Sequence, residues 1–218
     1  MKRRSFAVAQ TILIALVILA GSIALPILCR PFYYWHIGPM ELAEQTGLSV
    51  QEIKTAYNEM MDYSVGLTDT FSTGVLPWSE DGRAHFADVR KLFILDLWVL
   101  AVAAVVLIIL RLIQGKEKVH LLKHTPGFWS AIGLVSVFSV TAGLAALDFN
   151  RAFVVFHQLF FPGKDNWMFD YYTDPIIRIL PEAFFRNCAI LILACIFTGC
   201  VICLLSDGIA RKKQKKEA

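Results

Sequence analysis

Basic residues gather on one side of four long apolar runs. Residues 6–28, 92–113, 128–147 and 189–205 each approach or exceed the thickness of a hydrocarbon core, and none holds Lys or Arg in its middle. Lys2, Arg3 and Arg4 precede the first run. Arg111, Lys116, Lys118 and Lys123 lie between the second and third, and Arg211, Lys212, Lys213, Lys215 and Lys216 follow the fourth. This is the positive-inside pattern of four helices with both termini in the cytoplasm. It puts the intervening segments, about 30–91 and 148–186, together on the outer face.

The charge balance agrees. The three inner pieces sum to +9, because only Glu117, Asp207 and Glu217 oppose their basic residues, whereas the rest of the chain sums to −6. The net charge of +3 therefore hides a strong asymmetry. The basic tail follows directly on an apolar run, so anionic inner-leaflet lipid is a sufficient partner and nucleic acid is not called for.

The expected fold class is an all-α membrane protein, a four-transmembrane-helix bundle capped by two outer-face segments. Residues 1–218 form a single membrane domain, since too little chain remains for a large second one. The first apolar run continues past its small-x-small site at Ser22 and Ala24, and is read as a retained span. Cys29 is an interfacial cysteine. Cys188, Cys195, Cys200 and Cys203 lie in or beside the fourth run, a packing pattern rather than a disulfide frame or metal cage.

Arg30-Pro-Phe-Tyr-Tyr-Trp35 directly follows a span and reads as an aromatic interfacial belt. Ser49 and Glu52 form a capping box. Ile53, Ala56, Tyr57, Met60 and Met61 follow at helical spacing, as an amphipathic helix on the membrane or as a cover over the bundle.

Two histidines stand out. On a continuous helix running into the second span, His85, Asp88, Leu92 and Asp96 fall near one face. Asp96 is then an ionisable group just inside the membrane, where such groups usually face the protein interior. His157 is set among Phe153, Phe156, Phe160 and Phe161, so it is either a satisfied core residue or a base in a dry site. Burial without a partner lowers a histidine's pKa and keeps it neutral, ready to accept a proton. Pro162 and Gly163 end any helix there. The segment is too hydrophobic for an exposed loop and too short to span, so it packs back onto the bundle.

Glu80, His85-x-x-Asp88-Val89-Arg90, Phe156-His157-x-x-Phe160-Phe161, Trp167, Asp174 and Pro181-x-x-Phe184-Phe185 together resemble the bacterial lipoprotein intramolecular transacylases (Lit). The resemblance covers nearly the whole chain, and the His157 block is its most specific part. It implies conversion of diacylated lipoproteins in the membrane to a lyso form, by moving an acyl chain from the glyceryl sn-2 oxygen to the α-amine of the N-terminal lipidated cysteine. It maps the family's two histidines onto His85 and His157.

That chemistry suits the residues present. The attacking α-amine must be neutral and titrates near ~8, whereas a histidine near ~6.5 can take its proton. Amine and ester sit on one lipidated cysteine, so proximity supplies much of the rate and no enzyme nucleophile is needed. The chain has no Gly-x-Ser-x-Gly elbow. His157 is expected as general base and His85 as its partner in proton return or oxyanion stabilisation, a division of roles that can be reversed. Asp88, Arg83, Arg151, Trp167, Asp174 and Arg186 are candidates for substrate binding or support. No cofactor and no metal is expected. His36 with Glu41 has a spacing seen in some acyltransferases, but two residue types at one spacing recur by chance. His120 and His124 are four apart, as metal ligands on a helix would be, but sit beside Lys118 and Lys123 and read as a solvated loop. A lipid-binding membrane chaperone or subunit, and a membrane acyl-ester hydrolase, are the alternative classes.

Overall fold

The computed structural model describes residues 2–115 and 119–217, and side chains except those of residues 2, 3 and 214–217. Lys116, Glu117 and Lys118, and the side chains of Lys2, Arg3, Lys215, Lys216 and Glu217, all part of the expected charge asymmetry, lie outside the described residues. The regular elements found among them are the helices α1 (Lys2–Leu28), α2 (Arg30–Ile37), α3 (Leu42–Thr46), α4 (Val50–Ser64), α5 (Glu80–Gln114), α6 (Pro126–Leu147), α7 (Phe149–Phe160), α8 (Ile176–Ile179) and α9 (Glu182–Glu217).

Helices α1, α5, α6 and α9 are long and apolar enough to cross a membrane. About 20 residues suffice for a span, so α5 with its 35 residues has turns to spare. Its first turns, with Glu80, Asp81, Arg83, Asp88, Arg90 and Lys91, carry the charge, and the apolar run begins at Leu92. α9 likewise continues beyond its apolar run, so Arg211, Lys212 and Lys213 are exposed on a helix.

The chain divides into two compact units. One comprises Met1–Ile23, Leu97–Leu144 and Leu191–Ala218. Its core is Ala131, Leu134, Ile196 and Cys200, with Ile18, Leu19, Phe138 and Ile192 packed against it. Small residues let these helices approach. A Cβ at Gly199 would lie 3.0 Å from Ile18, and one at Gly127 would lie 3.3 Å from the Cys203 sulfur. Lipid offers apolar side chains no contrast in polarity, so close packing and hydrogen bonds between helices carry the association. The Gln10 amide donates to Gln114 at 2.7 Å, and the Ser130 hydroxyl donates to the Thr11 carbonyl at 2.7 Å.

The loop before α6 is not the solvated loop expected around His124. Asp207 is buried and accepts from the Thr125 N–H at 2.7 Å, and its other oxygen lies 2.8 Å from His124 Nδ1. The His124 ring stacks on Phe128 at 3.8 Å. The sequence reading missed this because the acid comes from α9.

The second unit comprises Ala24–Asp96 and Ala145–Ile190. Helix α4 is its scaffold. Ser49 accepts from the Glu52 N–H while Glu52 accepts from the Ser49 N–H, closing the expected capping box, a device worth about 1 kcal/mol. Ile53, Ala56, Tyr57, Met60 and Met61 are all buried. The aromatic run before it is only partly an interfacial belt. Trp35 is 71% exposed, but Tyr33 is fully enclosed, stacks on Tyr57 at 3.7 Å and donates to the Ile179 carbonyl at 2.8 Å. Helical periodicity turns neighbouring aromatics to opposite faces, and one face of α2 is core.

Candidate functional site

Helix α5 begins where Ser79 caps it. The Ser79 hydroxyl accepts from the Gly82 N–H at 2.9 Å, and Glu80 and Asp81 in the first turn complement the helix dipole. Asp174 holds that cap from across the unit. Its carboxylate accepts from the Ser79 N–H at 2.8 Å, the Ser79 hydroxyl at 2.6 Å and the Thr173 hydroxyl at 3.0 Å. This fixes the first turns of α5, and His85 stands on the second.

Helix α7 starts at its cap Asp148, which accepts from the Arg151 N–H at 2.9 Å. It ends before Phe161, as Pro162 and Gly163 predict, with Gly163 at φ 72° where a side chain would be strained. Its outer face shows Val155, Phe156, Leu159 and Phe160, and its inner face buries His157. The hydrophobic stretch is thus a short amphipathic helix that packs within its own unit.

The two histidine rings lie 5.9 Å apart, tilted by 31°. Aromatic rings enclose both. Phe161 stands 4.9 Å from His85 and 5.8 Å from His157. Trp167 stacks on His157 at 4.6 Å, and Phe153 lies 4.2 Å from the same ring. Phe169 meets His85 edge-on at 5.4 Å. Both histidines are buried, at 6% and 7% exposure.

Desolvation decides the charge of the pair. Burial, with a smaller push from His157, lowers the pKa of His85 to about 4, although Asp88 pulls the other way. Burial also lowers His157, partly offset by its bond to the Phe153 carbonyl. Both imidazoles are therefore neutral at neutral pH. His157 Nδ1 lies 2.7 Å from that carbonyl oxygen, which can only accept. Nδ1 therefore carries the proton, and Nε2 is left with a free lone pair. His85 Nδ1 is shut off from solvent and has no partner.

The supporting candidates divide. Trp167 lines the pair, and Asp88, one turn beyond His85, is held by Lys91 at 3.0 Å and by Lys164. Asp174 is near but spent on the α5 cap. Arg83 is exposed, paired with Glu80 at 2.8 Å and 5.9 Å from the Trp78 ring. Arg151 and Arg186 are exposed and outside the ring cluster. Asp96 is half-buried with one carboxylate oxygen enclosed and unpartnered. His36 is buried, with Nδ1 on the Phe32 carbonyl at 2.7 Å and its ring among Phe32, Trp35 and Phe184; its aromatic neighbours include no second histidine. Among the described residues no group of three His, Cys, Asp or Glu side chains is placed to hold a metal ion.

Sequence reasoning missed Phe169, Lys164 and Ser79. Aromatics at Trp167 and Phe169 in a stretch without helical periodicity were the available signal for Phe169. Lys164 and Ser79 gave none, because their partners are distant in the chain.

A chain of α-helices, four of them long and apolar enough to cross a membrane, defines the class of membrane-integral proteins, and its desolvated pair of histidines is a candidate acid–base site. The family model described as lipoprotein intramolecular transacylase Lit matches residues 8–185. The chain belongs to that family, and it is accordingly an acyltransferase of the cell membrane that acts on lipoproteins. The solved structure of the membrane-integral lipoprotein intramolecular transacylase Lit from Bacillus cereus is 27% identical, with a TM-score of 0.88 over 100% of this chain and 99% of that one. A variant of that enzyme with one histidine replaced by arginine is 25% identical, with a TM-score of 0.82 over 100% and 95% of the two chains. A variant with a histidine replaced by alanine is 25% identical, with a TM-score of 0.80 over 99% and 96%. No curated protein matches the chain.

Proposed function

We propose that this chain moves the sn-2 O-acyl group of a diacylglyceryl-cysteine to the α-amine of the same cysteine, with His157 as general base and His85 as its partner. The observation that carries this reading is the free Nε2 lone pair of His157, fixed by the Phe153 carbonyl beside a second neutral histidine. His157 Nε2 takes a proton from the α-amine as nitrogen attacks the ester carbonyl. A C–N bond forms, and the developing oxyanion accepts a hydrogen bond from neutral His85. The carbonyl then re-forms, the bond to the glyceryl oxygen breaks, and that oxygen receives the proton from His157. The acyl group and the proton have both moved within one substrate molecule.

The surroundings support transfer over hydrolysis. The rings of Phe153, Phe161, Trp167 and Phe169 around the two histidines leave little room for water to compete for the acyl group. Amine and ester are tethered, so orientation supplies much of the barrier reduction. A lost general base typically costs ~10²–10⁴-fold in rate. The exposed apolar face of α7 suits contact with lipid or substrate chains. The positive-inside asymmetry supports a site at the outer face with both termini in the cytoplasm.

The test is a mass spectrum of a lipoprotein N-terminus made with the parent chain or with His157→Ala. The parent should keep the acyl mass and move it to nitrogen. His157→Ala, folded, should leave the diacyl form. Near-normal transfer by that variant would refute the assignment, and loss of the acyl mass with the parent would favour a hydrolase.

A further inference from the structure

Lys164 stands outside the ring enclosure yet is bonded to both sides of it. Its carbonyl accepts from the Trp167 indole N–H at 3.1 Å, and Trp167 is the ring stacked on His157. Its ammonium pairs with Asp88, three residues beyond His85 on α5. Residues 161–167 thus contribute Phe161 and Trp167 to the enclosure, and Lys164 joins them to the helix that carries the other histidine.

The backbone bonds in this stretch are local. Phe161 N–H donates to the His157 carbonyl, Lys164 N–H to the Phe161 carbonyl and Met168 N–H to the Asp165 carbonyl. Such bonds set the shape of a turn, not where the turn sits. We propose that Lys164 is a positioning residue of the transfer reaction: its ion pair with Asp88 seats residues 161–167 on α5 and holds the aromatic enclosure around the two histidines. The inference rests on the histidine reading above.

The exposures fit this role. The Asp88 side chain is 12% exposed and that of Lys164 46%. An exposed ion pair adds little to stability. This one has a carboxylate with little exposure, and its value lies in where it holds the loop. A misplacement on the order of 1 Å can cost ~10²-fold in rate.

The pair also sets the field at His85. The charged and titratable groups acting on that ring are Asp88 from its own helix, Lys164 from the loop and His157 from α7, with the exposed Lys91 on the Asp88 oxygen that Lys164 leaves free. Removing the ammonium leaves the carboxylate to favour an imidazolium at His85, and removing the carboxylate does the reverse. A purely structural clasp would lower stability without splitting kcat from KM.

The experiment is steady-state transfer by the full-length enzyme on a synthetic diacylated lipopeptide in detergent, across pH. The chains compared are the parent, Lys164→Met, Lys164→Arg, Asp88→Asn and His157→Ala. Lys164→Met should lower kcat about tenfold or more with a smaller change in KM. Asp88→Asn should lower kcat in the same way. Lys164→Arg should restore most of kcat. If folded Lys164→Met kept parental kcat, or if both variants lost only thermal stability, the positioning role would be wrong. An inactive His157→Ala beside an unaffected Lys164→Met would sink this inference alone; an active His157→Ala would sink the histidine reading beneath it.

Discussion

Asp174 fills the space in which residue 82 would carry a side chain: a Cβ built on Gly82 would lie 2.0 Å from Asp174 Oδ1. The glycine is there because the buried carboxylate must reach the Ser79 N–H and hydroxyl that start α5. Gly82→Ala should therefore displace Asp174 from the cap. Overpacking costs on the order of 1–3 kcal/mol, and each bond to the carboxylate that is lost adds about 1.5–3 kcal/mol. Thermal unfolding in detergent should show a clear fall, and transfer should fall with it because His85 rides on the next turn. An unchanged melting temperature would mean that the start of α5 does not depend on this contact.

His36 and His157 test the specificity of the site. Both are buried, and both have Nδ1 on the carbonyl four residues earlier at 2.7 Å. The difference is their neighbours. His157 faces His85, whereas His36 packs among Phe32, Trp35 and Phe184. His36→Ala should lower stability and leave most transfer activity, while His157→Ala should abolish transfer beyond what its own loss of stability explains. Lyso-form yield and melting temperature, read on the same two samples, separate the cases.

The four spans were legible because twenty apolar residues have few uses other than crossing a bilayer. The Ser49–Glu52 box and the buried face of α4 were legible because they are local patterns at fixed spacing. The proximity of His85 and His157 came through resemblance, not periodicity. Tyr33 was misplaced in an interfacial belt because a run of aromatics does not reveal which face of α2 is core. His124 was misread because its partner Asp207 lies on a distant helix. Asp174 was a candidate for substrate binding or support, and the hold it has on the α5 cap through Ser79 is a contact that only the folded chain assembles. Contacts between distant segments carry no spacing signal, and much of the support around the histidines is of that kind.

The buried histidines make stability depend on pH with a definite sign. Folded His85 titrates at about 4 and His157 also below its usual value, whereas in the unfolded chain both titrate near ~6.5. Between those values the unfolded state binds more protons, so stability rises with pH through the window and is lost as pH falls through it. Melting temperatures measured from neutral pH down to about 4 should fall, and His85→Leu should flatten the curve. If the parent and His85→Leu curves kept the same slope, His85 would not be buried as a neutral base.

Transfer as proposed moves a proton and an acyl group between atoms of one substrate, with the two imidazoles handling the proton. Purified enzyme should keep its rate after exhaustive treatment with EDTA. Inactivation by the chelator, reversed by a divalent cation, would recast His85 and His157 as ligands. Lyso-form lipopeptide measured before and after treatment decides it.

The proposed outward orientation of the site rests on charge and can be tested directly. Tyr172 is 91% exposed and Val75 66% exposed, one in each of the two long segments between spans. The larger basic clusters flank the opposite ends of the spans, and the positive-inside rule assigns such ends to the cytoplasmic side. A cysteine at either position should then react with an impermeant thiol reagent in intact cells, above the background from Cys29 and Cys188 in the parent chain. The same reagent should reach a cysteine at Lys123, which is exposed in the loop before α6, only after lysis. Labelling of Tyr172→Cys and Val75→Cys confined to lysed cells would invert the topology and place the transfer site on the cytoplasmic face.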